Sequence, residues 1–258
     1  MPKFSANLSF LYPDLDFTDR FAAAAADGFR AVEYMSPYEV PAETLAGLLA
    51  EHGLTQALFN LPAGDWAGGE RGVACLPDRV DEFRAGVDAA IAYALALKCS
   101  KINCLSGVAP EGVERSVLEE TLVANLRYAA ERLDAAGIKL VLEPINTRDI
   151  PGFFIPRTDD AEAIFARVDH ANLFLQYDVY HAQVMQGDLV ETLRRLAPRI
   201  AHIQIADNPG RHEPGTGEIN YSFVLAAIDD VGYDDFVGCE YKPQTDTSAG
   251  LSWMRPYR

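Results

Sequence analysis

Three carboxylates and one amide stand where short apolar runs end, and together they could form one oxygen-rich site. Glu143 ends the run LVLE, Asp178 ends LFLQYD, Gln204 follows IAHI and Glu240 follows FVGC. Such runs are typical of buried strands, so these side chains are predicted to lie at strand ends. If these side chains are arranged around one point, the carboxylates will repel one another unless a cation lies between them. One divalent metal ion, Mg²⁺ or Mn²⁺, is therefore predicted, because oxygen ligands suit these ions better than Zn²⁺.

Three cationic or imidazole side chains close to these positions are candidates for binding a substrate. His181 follows the second carboxylate by three residues, Arg211 lies in the Gly/Pro-rich loop after the amide, and Lys242 follows the last carboxylate by two. The arginine fork matches planar anions, so Arg211 is the natural partner of a substrate carboxylate or hydroxyl. The structural alternatives are a hydrogen-bonded loop histidine, a surface arginine and a solvated lysine.

A long Gly-rich loop, Leu61–Gly72, follows a further polar strand end at Asn60. The loop carries Trp66 near its middle and Arg71 near its end. A loop of this kind can fold over a site and exclude water, which makes Asn60 and Arg71 further candidates for substrate contact. The alternative is a mobile loop on the surface.

The elements that must position these residues alternate between short strands and longer helices. The predicted strands are Lys3–Ser9, Ala31–Tyr34, Thr55–Asn60, Lys101–Leu105, Lys139–Glu143, Leu173–Asp178, Ala201–Ile205 and Phe236–Tyr241. The predicted helices are Phe17–Asp27, Ala42–His52, Arg79–Leu97, Arg115–Ala136, Asp159–Val168, Asp188–Leu196 and Tyr221–Val231, with Leu251–Arg258 left unassigned. This alternation over 258 residues predicts an α/β fold of one domain, a (β/α)8 TIM barrel spanning residues 1–258. A doubly wound sheet would need a Gly-rich turn after the first strand, and ANLSFLYPD has none.

A polar side chain lies near the C-terminal end of each of the eight predicted strands, and in a barrel these side chains would converge on the rim where barrel enzymes carry their active sites. They are Asn7, Glu33, Asn60, Asn103, Glu143, Asp178, Gln204 and Glu240. The asparagines also suit turns, which is the alternative for Asn7, Asn60 and Asn103. His202 shares the strand face of Gln204 and is predicted to be a core histidine or one that supports the ligands.

Composition excludes several classes of function. A net charge of −16 argues against nucleic acid or an anionic membrane as a partner, since both require a basic surface. The N-terminal sequence has no apolar segment followed by a cleavage site, and the four cysteines have no CxxC spacing. A cytoplasmic protein with reduced thiols and a small-molecule partner is expected, and a homo-oligomer is left open.

Several long strings carry a resemblance to a known family. FSANLSF, ALFNLPAGDWAGGERG, LVLEPINTR, QYDVYHAQ and VGCEYKP are spaced over the whole chain. The chain resembles the hydroxypyruvate isomerase family, within the xylose-isomerase-like sugar isomerases and epimerases. The resemblance implies a TIM barrel that binds one divalent ion through Glu143, Asp178, Gln204 and Glu240. In related ketose 3-epimerases the third ligand is commonly histidine, so the presence of Gln204 argues against epimerase activity.

The same resemblance implies roles in a reaction. Glu143 and Glu240 would flank the substrate as an acid/base pair, while His181 and Arg211 would touch substrate oxygens. The expected reaction moves a proton between adjacent carbons through an enediolate, and so converts hydroxypyruvate to tartronate semialdehyde. A 2-oxo-tetronate isomerase, a ketose 3-epimerase and a non-catalytic sugar-acid binding barrel are the alternatives. Hydrolysis of DNA phosphodiesters is disfavoured, because it needs several histidine ligands and a basic face.

Overall fold

Eight parallel strands close into a barrel within residues 1–257, the part of the chain that the computed structural model describes; Arg258 lies outside it. The strands pair in chain order, and the first also pairs with the last. They are β1 (Lys3–Asn7), β2 (Ala31–Glu33), β3 (Thr55–Asn60), β4 (Lys101–Cys104), β5 (Lys139–Leu142), β6 (Leu173–Asp178), β7 (Ile200–Ile205) and β8 (Phe236–Cys239). The predicted (β/α)8 fold is confirmed.

Helices connect the strands on the outside of the barrel. They are α1 (Arg20–Ala26), α2 (Ala42–His52), α3 (Val80–Leu97), α4 (Arg115–Ala135), α5 (Thr158–Val168), α6 (Val179–Met185), α7 (Leu189–Leu196), α8 (Tyr221–Asp230) and α9 (Thr247–Gly250). The predicted helices agree with these to within a few residues, apart from α6 and α9, which the sequence analysis missed. The unassigned C-terminal segment forms a 3-10 helix over Leu251–Tyr257. No helix within residues 1–257 is both long and apolar enough to cross a lipid bilayer.

Helix α6 was missed because it starts directly where β6 ends. Its N-cap is Asp178, whose Oδ1 accepts hydrogen bonds from the backbone N–H groups of Tyr180 (2.7 Å) and His181 (3.3 Å). A carboxylate is a strong N-cap because it accepts the N–H groups that the first turn leaves unpaired. Apolar residues continue from strand to helix, so hydrophobic periodicity does not mark the boundary. The cap places His181 one turn from the strand end.

Alternation along the strands sorts side chains between two environments. On β5, Leu140 and Leu142 face outward into the main core between barrel and helices. Val141 points the other way and belongs to a separate small apolar cluster with Phe174. Glu143 continues the inward face of Val141 just beyond the end of β5. The barrel therefore presents its polar residues inward at the carboxyl ends of the strands.

Candidate active site

A cavity of about 530 Å³ opens at the carboxyl ends of the strands. Most of the predicted site residues line it: Asn60, Arg71, Glu143, His181, Arg211, Glu240 and Lys242. Asp178 and Gln204, at the ends of β6 and β7, are buried rather than part of this wall. The structure therefore brings the predicted residues to one rim, because the strand ends converge there.

The acidic residues form a cluster beside this cavity. Single atoms of Glu143, Asp178, His181 and Glu240 lie within 4.8 Å of one another. In the part of the chain that the structure describes, Glu143 Oε1 and Asp178 Oδ2 are buried without a hydrogen-bond partner. Buried polar atoms are almost always partnered, so these two oxygens are arranged for something that the protein itself does not supply.

Burial and mutual repulsion raise the pKa values of these acids. Burial, with Glu240 and Asp178 as neighbours, raises the pKa of Glu143 well above its ordinary value. Burial also raises the pKa of Glu240 to about 8 and raises the pKa of Asp178, although Arg211 opposes both shifts. Such a cluster holds protons or a cation at neutral pH, since the charged carboxylates destabilise one another. The residues present therefore fit a divalent ion with hard oxygen ligands.

Asparagines from neighbouring strands hold the two glutamates. Asn103 Nδ2 donates to Glu143 Oε2 (2.8 Å) and also lies 3.2 Å from Asn60 Oδ1. Asn7 Nδ2 donates to Glu240 Oε1 (3.1 Å). These contacts make the strand-end asparagines parts of the site rather than simple turn residues. Each glutamate has one oxygen held by an amide; the second oxygen of Glu143 has no hydrogen-bond partner within residues 1–257, and that of Glu240 accepts from Arg211.

Gln204 is held by two buried neighbours. Its Nε2 donates to Glu33 Oε1 (2.8 Å), and its Oε1 accepts from Gln176 Nε2 (2.6 Å). An amide oxygen has two acceptor positions, so one remains available on Oε1. The role of Gln204 as a fourth ligand stays a prediction.

Glu33 holds several of the side chains that support the acid cluster, a role that was not predicted from the sequence. Its buried carboxylate accepts hydrogen bonds of 2.7–3.2 Å from Ser5, Asn7, His202 and Gln204. Burial alone raises the pKa of Glu33, but the charge of His202 and these hydrogen bonds outweigh it and lower the pKa. Through Glu33, His202 thus supports Gln204, the predicted fourth ligand, and this is one of the two roles predicted for His202. No local sequence pattern marked this role; in the structure, Gly238 leaves room for this carboxylate.

Replacing Gly238 with alanine is expected to destabilise the fold. The added methyl would lie 2.3 Å from Glu33 Oε1, and four donors hold that carboxylate in place. A loss of about 1–3 kcal/mol in the free energy of unfolding is expected, as is usual for overpacking, and urea unfolding measures it. Gly47→Ala is the control, because Gly47 lies in α2 with nothing within 4 Å of the added carbon. An unchanged midpoint for Gly238→Ala would contradict the prediction.

His181 faces the acids without a close hydrogen bond to them. Its Nε2 lies 3.6 Å from Asp178 Oδ2 and 3.8 Å from Glu143 Oε1. Burial, assisted by the positive charge of Arg211, lowers the pKa of His181 well below its ordinary value. The imidazole is therefore neutral at pH 7. Its predicted contact with a substrate oxygen stays a prediction.

Arg211 is fixed by aromatic rings and by acids. Its guanidinium lies over the ring of Phe10 at 4.8 Å and over the ring of Tyr180 at 5.3 Å. Its Nη2 donates to Glu240 Oε2 (2.5 Å) and lies 3.6 Å from Asp178 Oδ2. The backbone φ of Arg211 is +58°, an uncommon value for a residue other than glycine. The loop after β7 therefore delivers this side chain into the acidic cluster.

The loop Leu61–Gly72 forms part of the cavity wall, as predicted. The guanidinium of Arg71 stacks on the ring of Trp66 at 4.0 Å, and its Nη1 donates to the Trp66 carbonyl (3.0 Å). Trp66 and Lys242 both line the cavity while remaining exposed. These side chains stand at the opening, where they can meet a substrate that enters. Arg148, which no sequence pattern marked, lines the same cavity from the loop after β5.

Comparison with known proteins decides the family. Residues 21–257 match the family described as xylose isomerase-like TIM barrel. The chain belongs to this family. The match covers nearly the whole barrel and agrees with the resemblance found in the sequence.

Individual relatives of this xylose isomerase-like barrel are named isomerases. It is 54% identical to hydroxypyruvate isomerase from Escherichia coli over 258 residues, with both chains fully covered. It is 49% identical to 2-oxo-tetronate isomerase from Cupriavidus necator, over all of this chain and 99% of that protein. A crystal structure from Brucella melitensis, titled AP endonuclease, family 2, superposes with a TM-score of 0.97 at 46% identity, with both chains fully covered. The protein is thus similar over its full length to isomerases of small 2-oxo acids.

Proposed function

We propose that this protein is an isomerase that interconverts hydroxypyruvate and tartronate semialdehyde. The observation that carries the proposal is the buried acid cluster that opens onto a cavity of small-molecule size. The 54% identity to hydroxypyruvate isomerase from Escherichia coli supports the choice of substrate. The catalytic residues, the ligand set and the ion are parts of the same proposal.

The reaction moves a carbonyl between adjacent carbons. A base removes one proton from C3 of hydroxypyruvate, and the electrons of that C–H bond form the enediolate. An acid then delivers a proton to C2, while the C3 hydroxyl gives up its proton and the C2 oxygen gains one, which leaves an aldehyde at C3 and a hydroxyl at C2. Glu143 and Glu240 are proposed as this pair, because the carboxylates of both line the cavity. General acid–base catalysis of this kind contributes about 10²–10⁴-fold.

The remaining polar groups would bind the substrate and stabilise charge. A divalent ion, Mg²⁺ or Mn²⁺, held by Glu143, Asp178, Gln204 and Glu240 would stabilise the negative charge that develops on the substrate oxygens. Neutral His181 would donate a hydrogen bond to one of these oxygens.

The carboxylate of the substrate would be bound by the cationic side chains of the cavity. Arg211, Arg71 and Lys242 all line it, and an arginine can hold a carboxylate with two N–H groups. Asn60, at the end of β3, adds a polar side chain to the lining of the cavity. We propose these four residues as the substrate-binding set.

A 2-oxo-tetronate is the second candidate substrate. The protein is 49% identical to 2-oxo-tetronate isomerase from Cupriavidus necator, and the cavity of about 530 Å³ has room for a fourth carbon. The chemistry at C2 and C3 would be the same. Ketose 3-epimerisation would use the same acid/base pair on a longer neutral substrate, which needs less of the positive charge that Arg71 and Lys242 supply.

Hydrolysis of DNA is less compatible with this site. Clustered metal ions of a nuclease require several histidine ligands, whereas the acid cluster contains one histidine, His181. The net charge of −16 opposes approach to a phosphate backbone. A carrier that only binds a sugar acid would share the cavity but would not exchange protons on carbon.

An NMR assay separates these possibilities. The purified protein with Mg²⁺ or Mn²⁺ is incubated in D₂O with hydroxypyruvate, a 2-oxo-tetronate or a ketose. We expect deuterium to enter at carbon and the aldehyde product of hydroxypyruvate to appear. Faster turnover of the tetronate would reassign the substrate, and absence of C–H exchange with every compound would contradict an isomerase. Conversion of supercoiled plasmid DNA to its nicked form in a parallel assay would instead support hydrolysis.

A further inference from the structure

The two ring nitrogens of His181 have opposite surroundings. Nε2 faces the acid cluster, 3.6 Å from Asp178 Oδ2 and 3.8 Å from Glu143 Oε1. Nδ1 faces the loop after β5, where it contacts Asn146 twice. A neutral imidazole carries its proton on one nitrogen only, so the contacts of Nδ1 decide what Nε2 can do.

Both contacts to Nδ1 come from N–H groups of Asn146. The backbone nitrogen of Asn146 lies 3.5 Å from Nδ1, and the side-chain Nδ2 lies 2.6 Å from it. A backbone N–H can only donate. Nδ1 must therefore supply a lone pair at this position.

Asp149 determines that Asn146 presents its nitrogen, and not its oxygen, to His181. The backbone N–H of Asp149 donates to Asn146 Oδ1 (2.8 Å), while Asp149 Oδ2 accepts from Asn146 Nδ2 (3.1 Å). Reversing the amide would place donor against donor and acceptor against acceptor. The carboxylate of Asp149 is itself held by the hydroxyl of Tyr180 (2.7 Å). The amide orientation is thus set by contacts that do not involve His181.

We propose that Asn146 holds His181 in the neutral tautomer with its proton on Nε2, so that His181 donates to a substrate oxygen and is not a metal ligand. A histidine ligand needs a lone pair on the nitrogen that faces the metal, and here that nitrogen carries the proton. Although His181 lies in the cluster that could hold a metal, its role is that of a hydrogen-bond donor. Asn146 is a positioning residue, because it acts through the imidazole. The role of this tautomer in the reaction rests on the proposed isomerase function. The tautomer itself follows from the contacts of Asn146 and does not depend on that function.

Nitrogen NMR of the wild-type protein tests the tautomer directly. The protein is labelled with ¹⁵N-histidine, and the His181 signals are identified by their loss in His181→Gln. At neutral pH we expect a protonated Nε2 and an unprotonated Nδ1. A protonated Nδ1 would overturn the proposal. This measurement needs neither substrate nor turnover, so it stands apart from any failure of the proposed reaction.

The variant Asn146→Asp tests the role of Asn146. Its carboxylate has the same shape but only accepts hydrogen bonds, and this side-chain contact of 2.6 Å outweighs the backbone N–H at 3.5 Å, so the proton of His181 is expected to appear on Nδ1. Turnover of the 2-oxo acid is expected to fall by about 10–100-fold, as for loss of a residue that orients a catalytic group. Asn220→Asp is the matched control, because it makes the same change at the exposed N-cap of α8, where both residues cap equally well.

A double mutant separates positioning from a general structural role. On the His181→Gln background, Asn146→Asp is expected to cause no further loss of turnover. A full additional loss, or an unchanged His181 spectrum in Asn146→Asp, would overturn the proposal. If Asn146→Asp does not fold, Asn146→Leu removes the side-chain donor without adding charge and is expected to reduce the population protonated on Nε2.

Discussion

Replacing Glu143 with glutamine is expected to lower kcat by about 10²–10⁴-fold, the range for loss of a general acid or base. An amide cannot accept or deliver the proton that moves between carbons. The substitution is otherwise mild, since Asn103 can still donate to the remaining carbonyl oxygen. Glu240→Gln is expected to have an effect of similar size. Steady-state kinetics with hydroxypyruvate, at a saturating concentration of Mn²⁺ or Mg²⁺, measures the change.

Binding and charge need separate controls in this experiment. Calorimetric titration is expected to show that Glu143→Gln still binds the 2-oxo acid, which separates lost chemistry from lost affinity. Glu120→Gln makes the same charge change at an exposed position on α4 and should leave kcat unchanged. Full activity in Glu143→Gln would mean that this residue has no part in proton transfer. The acid/base assignment would then have to be withdrawn.

Removing divalent ions is expected to abolish turnover, and adding Mg²⁺ or Mn²⁺ should restore it. The reason is the arrangement of Glu143, Asp178 and Glu240, whose buried carboxylates raise one another's pKa values and leave two oxygens without a protein partner within residues 1–257. The protein is treated with a chelator, desalted and assayed while each ion is added back. Because an ion that binds only the folded state stabilises it, Mn²⁺ should also raise Tm, and the rise should grow with the logarithm of the Mn²⁺ concentration once that exceeds Kd.

Asp178→Asn is the informative variant for the metal prediction. Asparagine caps a helix about as well as aspartate, so α6 should remain intact. The loss of one negative charge should weaken Mn²⁺ binding, and a smaller rise of Tm at the same Mn²⁺ concentration measures this. Turnover by protein shown to contain no metal would contradict the predicted dependence on a divalent ion.

Sequence patterns were sufficient to predict the barrel and the location of the site. The run of apolar residues before Glu143, Asp178, Gln204 and Glu240 reports burial of each strand, and a polar residue marks the end of each run. Strand order needed no further information, since the strands pair in chain order. The end of β6 at Asp178 was predicted correctly, but the helix that follows it directly was missed because apolar residues continue beyond the strand.

Contacts within the site could not be predicted, because they join residues far apart in the chain. Asn7 reaches Glu240 across 233 positions, and Glu33 reaches Gln204 across 171. Hydrophobic periodicity shows that such residues point inward, but not which donor meets which acceptor. The value of Gly238 as space for a carboxylate became apparent only when the strands closed into a barrel.

Burial and periodicity are local properties of the chain, so the amino-acid sequence was enough to predict the fold, the rim at the carboxyl ends of the strands and the residue types gathered there. The directions in which individual side chains point became known only from the tertiary structure. It placed the guanidinium of Arg211 between two rings and the acids, and it turned the amide of Asn146 so that its nitrogen faces His181. The physical reason is that the direction of a hydrogen bond depends on where donors and acceptors meet in space, which no local pattern records.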